Sequence, residues 1–209
     1  MPRLEIDHIF IMTSAGAPGA ERLREFGMSE GSGNRHIGQG TACRRFFFRN
    51  AMLELLWVDN EAEVRGDAVR RMQLWEHWSR RDIGASPFGV ILRGGHGAPF
   101  ATWEYRNPGM PGFAIEVGEG TAIAEPLWFY FAETFAPSVQ PRGHACGFRE
   151  LTGVRMVGPA LPEDSVTISM ARAGVIAVGT GEQMVELEFD GGSGHEVDFL
   201  PDLPLRFRF

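Results

Sequence analysis

The sequence predicts an α+β protein made of mixed, mostly antiparallel sheets in βαβββ units, and three observations carry that expectation. Residues 4–12 and 52–58 are apolar runs with isolated polar side chains at period two, the signature of strands. Between them lies one short helix signal: Thr13 or Ser14 as cap, Pro18 in the first turn, Ala20, Leu23 and Phe26 on one side, and Gly27 as the stop. The 27 glycines and 13 prolines are spread along all 209 residues, which favours many turns and short strands over a helical bundle.

Taken in order, the first strand alternates Leu4, Ile6, His8, Phe10 and Met12 on one face against Glu5, Asp7, Ile9 and Ile11 on the other. After the helix over 17–26, Gly31 to Gly33 turn the chain. Residues 34–37 suit an edge strand, and 43–49 and 52–58 a hairpin broken at Asn50-Ala51. This completes a βαβββ unit of about 55 residues. In the hairpin, Met52, Glu54, Leu56 and Val58 share a face, so Glu54 is a lone carboxylate in an apolar strand. Burying it unpaired is costly, and it needs a cation, a metal, water or a cross-strand partner such as Arg44 or Arg45.

These residues carry a resemblance. Leu-Glu-Ile-Asp-His-Ile-Phe-Ile from Leu4, His-Ile-Gly-Gln-Gly-Thr from His36 and Met-Leu-Glu-Leu-Leu-Trp-Val-Asp from Met52 resemble the first module of a glyoxalase-like protein of the vicinal oxygen chelate superfamily, over residues 4–59. The resemblance implies modules curling into a cup around a divalent metal held by first-strand and fourth-strand residues. Matched by position, those residues are His8 and Glu54. Imidazole with carboxylate suits zinc, iron, manganese or nickel.

Further along, residues 67–81 form the clearest helix signal, expected on the outside of the sheet, with Trp75 and Trp78 docked on it and His77 at the surface. Strands follow at 88–93, 113–117 and 127–131, with a helical turn over 99–106 and a loop over 137–147 that carries His144 in solvent. Residues 151–157, 166–171, 175–178 and 184–189 then suggest a reduced strand module. The chain thus divides into a first module (1–59), a connecting helix with an eroded strand set (60–149) and a reduced β module (150–209), all in one compact unit.

Met52 to Trp57 laid over Met184 to Phe189 puts Glu186 on Glu54. The same overlay brings Gly153 or a neighbour, not a histidine, to the His8 position. The expected metal set is therefore His8, Glu54 and Glu186, with Glu188 and His36 as alternatives. Glu54 and His36 are the candidate catalytic groups, and Phe46, Phe48, Trp103, Trp128 and Tyr130 the expected apolar wall.

Two functions remain open. One is a metal-dependent lyase, isomerase or dioxygenase acting on a small molecule with vicinal oxygens. The other is a metal-free cup that binds or sequesters a planar small molecule, as the bleomycin-resistance members do. A net charge of -7 with no basic run argues against nucleic acid, and the polar-interrupted start argues against a signal or membrane segment. Two cysteines, Cys43 and Cys146, are too few for a disulfide framework. The expectation is a cytoplasmic protein with a small-molecule partner, and the resemblance adds a homodimer.

Overall fold

The computed structural model describes residues 3–110, 112, 114–132 and 139–209. The first unit runs β1 (Leu4–Met12), α1 (Ala20–Glu25), β2 (Asn34–His36), β3 (Thr41–Phe47) and β4 (Met52–Val58). Gly27 ends the helical turn at φ +104, and a Cβ there would stand 2.9 Å from the Cys146 nitrogen, so only glycine fits. The connection that follows contains α2 (Glu61–Val64), a 3-10 turn at Arg70–Met72 and α3 (Leu74–Ser79). Next come β5 (Phe88–Gly94), β6 (Thr102–Arg106), β7 (Ala114–Gly118) and β8 (Leu127–Phe131).

Among the described residues these strands form one curled eight-stranded sheet in the order β2-β3-β4-β1-β5-β8-β7-β6. The order is symmetric about its centre. β1 lies parallel to β4 and β5 parallel to β8, while β1 and β5 meet antiparallel in the middle. Residues 88–131 therefore repeat the strand order of the first unit with no α1 counterpart among the described residues. The loop after Gly94 stands in its place. Two half-cups thus join within one chain.

The remaining chain, β9 (Leu151–Gly158), α4 (Val166–Arg172), β10 (Ala177–Thr180), β11 (Met184–Phe189), β12 (Glu196–Asp198) and β13 (Leu205–Arg208), forms a second sheet in the order β10-β9-β11-β13-β12. Its inner residues Val185, Leu187, Phe189 and Phe207 join Ile9, Ile11, Leu53, Leu55, Trp128 and Tyr130 in one buried cluster. The second sheet therefore backs the convex side of the first. A second cluster, with Phe10, Leu56, Ile91 and Phe129, lies on the concave side and takes in Val64, Val69, Met72 and Leu74 from the α2–α3 connection.

Several expectations change here. The helix read over 67–81 is broken at Gln73, which adopts φ +58, and it packs over the concave face instead of the outside. Trp78 turns inward to donate its Nε1 hydrogen to Thr13 O at 2.8 Å, and His77 is fully buried rather than at the surface. Residues 102–106 are the strand β6, not part of a helical turn. Residues 166–172, β-branched enough to suggest a strand, are helix α4: Ser165 caps it by accepting from the Ile168 N–H at 3.2 Å, and Thr167 and Met170 fill its buried side. Phe113 and residues 137–138 lie outside the described residues.

Candidate functional site

The concave face of the first sheet opens a cleft of about 450 Å³. Its polar end is built by β1, β2, β3 and β4. His8 pairs with Met52 and Phe10 with Glu54 along the parallel β1–β4 ladder, which turns His8 and Glu54 to the same side. His8 Nε2 stands 3.8 Å from Glu54 Oε2, and both side chains are nearly buried. From β2, His36 brings its Nε2 to 4.0 Å from the other oxygen, Glu54 Oε1. The carboxylate lies between two imidazoles.

A β-bulge arranges the neighbourhood of His8. The β1–β5 register slips between Ile6 and His8, leaving Asp7 as the extra residue. The strand phase inverts there, so Leu4 and Ile6 pack with Ile9 and Ile11 on the convex side, while Asp7 joins His8 at the cleft. Strict alternation places Asp7 opposite His8 and hides it. In the fold, Asp7 Oδ1 accepts from His8 Nδ1 at 2.7 Å and Oδ2 accepts from Arg93 Nη1 at 2.8 Å. Burial pushes the Asp7 carboxyl up, but hydrogen bonds and charge from His8 and Arg93 outweigh it, and its pKa is lowered. An ionised Asp7 fixes the proton on His8 Nδ1 and leaves the Nε2 lone pair facing Glu54.

His36 is held similarly. Its Nδ1 is 2.9 Å from Thr41 Oγ1, which also accepts from Gln39 Nε2 at 2.9 Å. Burial lowers the His36 pKa against the opposing pull of the Glu54 carboxylate, so its ring is neutral at neutral pH. Cys43, next on that face, completes a group with His36 and Glu54 whose ligand atoms all lie within 4.8 Å of one another. Burial and then the Glu54 carboxylate push the Cys43 thiol far above its ordinary range, so it stays protonated unless a cation is present.

The His36, Cys43 and Glu54 donor atoms lie close enough together to hold one divalent ion, and His8 adds a nitrogen 3.8 Å from the same carboxylate. Two atoms each about 2.1 Å from one ion at a tetrahedral angle lie ~3.4 Å apart. The 3.8 and 4.0 Å separations are slightly wider than that and too long for direct hydrogen bonds. Among the described residues no cross-strand arginine pairs with Glu54. Arg45 faces Glu54 in the β3–β4 register, yet its guanidinium is bound to Ser32 O at 2.8 Å and lies over the Phe47 ring, while Arg44 pairs with Glu21 and Glu30 on the other side.

The structure does not bring Glu186 to this cleft. It sits on the far face of the second sheet, where Arg155, Arg206 and Arg208 approach it at 3.5, 3.3 and 3.3 Å. β11 runs antiparallel to β9 whereas β4 runs parallel to β1, so the two strands are not equivalent. The shared pattern is the period-two alternation that any half-buried strand shows. Glu188 shares the Glu186 face of β11 and is likewise separated from the cleft.

The apolar wall also shifts by one residue. Trp128 and Tyr130 point into the core between the sheets, and Phe129 and Phe131 face the cleft beside Phe10 and Ile91. With Gly89 paired to Leu127 as His8 is to Met52, Phe129 falls at the Glu54 position and Gly89 at that of His8. The Phe10 ring fills the space a Gly89 side chain would need, at 2.1 Å from the ideal Cβ. His144, expected in solvent, is buried: its Nδ1 accepts from the Ser29 N–H and its Nε2 donates to Phe47 O, both at 3.0 Å.

A family model described as a glyoxalase-like domain, within the vicinal oxygen chelate superfamily, matches residues 6–84. A crystal structure of a hypothetical protein from Staphylococcus aureus superposes with a TM-score of 0.54 at 11% identity, covering 99% of each chain. At that identity the likeness is one of fold. No curated protein matches the chain. None of the helices among the described residues is long and apolar enough to cross a membrane.

Proposed function

Residues 6–84 are similar to the glyoxalase-like domain, and from that premise we propose that the chain is a divalent-metal-dependent enzyme of the lyase, isomerase or dioxygenase type acting on a small molecule with vicinal oxygens. One observation carries the reading: His8 and His36 each anchor Nδ1 on a side-chain oxygen and direct Nε2 at Glu54. Two imidazoles and one carboxylate are a common donor set for catalytic zinc and non-haem iron, and Glu186 has no part in it. When bound, the ion would supply Lewis acidity toward adjacent substrate oxygens.

The chain's own residues divide the rest of the work. His8, His36 and Glu54 would hold the ion, and Asp7 and Thr41 fix the two rings. Phe10, Phe129 and Phe131 exclude water from the apolar end. Glu54, with an oxygen toward each imidazole, is also placed to take a proton from a bound substrate. The anchored rings favour zinc, iron, manganese or nickel over a purely oxygen-seeking ion.

A second reading is a metal-free cup that sequesters a small molecule. Its support is the second half of the sheet, which offers Ile91, Phe129 and Phe131 to the cleft and, among the described residues, no imidazole or carboxylate ligand. Elemental analysis of protein purified without chelators separates the two. The metal reading expects about one ion per chain, lost in His8→Ala and Glu54→Ala. Protein that is metal-free and takes up no added zinc, manganese or nickel overturns it in favour of the second reading.

A further inference from the structure

We propose that the cleft recognises an organic anion, with a carboxylate or phosphate gripped by Arg45, Arg49 and Arg142 and an apolar body laid against Phe129 and Phe131. The proposal rests on the reading of this cleft as the small-molecule site and adds the substrate class. Most arginines of this acidic chain are ion-paired, including Arg22, Arg24, Arg44, Arg65, Arg93 and Arg206. Arg45, Arg49 and Arg142 all line the cleft, and among the described residues none of the three has a carboxylate within ion-pair distance. Arg93 is spent on Asp7, which leaves Glu54 as the cleft's other carboxylate.

The Arg45 side chain is held directly, and the main chain that carries Arg49 and Arg142 is tied down. The Arg45 guanidinium is bound to Ser32 O and stacked over Phe47. Arg49 lies in the β3–β4 turn, where its N–H donates to Arg149 O at 2.9 Å. Arg142 precedes Gly143 and His144, which are tied to Ser29 and Phe47 by bonds of 2.6 and 3.0 Å. Buried His144 thereby gains a purpose: it holds the Arg142 segment over the cleft. The chain as a whole carries a net charge of -7, so three guanidiniums that line one apolar-walled cavity without a carboxylate partner among the described residues make a local site for an anion. Guanidinium forks match carboxylate and phosphate equally well in geometry.

The test is calorimetric titration of the protein as purified with phenylacetate, phenyl phosphate and the neutral phenylacetamide. Arg49→Gln/Arg142→Gln is the chosen variant because both side chains are exposed, and thermal melting checks its folding. Both anions, or one of them, should bind at least about tenfold more tightly than the amide, weaken with added salt and lose about tenfold in the variant. The preferred anion distinguishes a carboxylate from a phosphate substrate. Equal binding of acid and amide, or anion binding unchanged in the folded double variant, overturns the proposal. Metal content is read on the same samples. Metal-free protein that still prefers anions refutes the metal-enzyme reading alone, whereas metal-loaded protein without that preference refutes this proposal alone.

Discussion

Replacing Asp7 with asparagine is expected to weaken divalent-metal binding by about ten- to a hundredfold, or ~1.4–2.7 kcal/mol, while leaving the fold intact. Asp7 serves two donors at once, His8 Nδ1 at 2.7 Å and Arg93 Nη1 at 2.8 Å, through its two oxygens. Asparagine has one acceptor oxygen. If that oxygen stays on Arg93, the amide hydrogens face His8 Nδ1, which must then carry the lone pair, and the proton moves to Nε2, the atom that should bind the ion. If it turns to His8, the Arg93 contact is lost and the amide crowds the guanidinium. Competition for zinc against a chromophoric chelator measures the affinity, with thermal melting as control. A folded Asp7→Asn protein whose zinc affinity stays within about twofold of wild type would refute the reasoning.

Gly89→Ala should cost about 1–3 kcal/mol, because its Cβ lands 2.1 Å from the Phe10 ring, and Phe10→Leu in the same chain should recover part of the loss in a double-mutant cycle of melting temperatures. Glu186→Gln should destabilise the protein by about 1–3 kcal/mol by leaving Arg155, Arg206 and Arg208 without their shared partner, yet keep the metal content of wild type in elemental analysis. Burial keeps His77 neutral with its pKa below 6.5, although its ring is bonded to Ser86 O at 2.7 Å. A depressed folded pKa gives stability that is complete above the unfolded value and lost as pH falls through the folded one, so melting temperature should drop below about pH 6.5, and less steeply in His77→Gln. A melting temperature that is flat across that range would contradict this.

The legible part of the site was the pair His8 and Glu54: alternation marks each as a lone polar residue on an apolar strand face, and the family resemblance is what set the two together. Asp7 was not legible, since a one-residue bulge changes which face a side chain takes and leaves no mark in composition. The second half of the large sheet was visible as strands but not as a module: its helix is replaced by a loop, and Gly89 and Phe129 stand at the polar positions of the first half. Glu186 misled because a strand pattern of six residues says nothing about whether neighbours run parallel or antiparallel. Helix α4 was hidden by its β-branched residues, with only the Ser165 cap to give it away.

The central claim is that His8, His36 and Glu54 hold one ion, and anomalous diffraction from crystals grown with zinc or manganese tests it most directly. The account predicts a single strong peak on the concave face within about 2.3 Å of His8 Nε2, His36 Nε2 and a Glu54 oxygen. A cleft without a peak, or a peak bound only elsewhere on the chain, would contradict it.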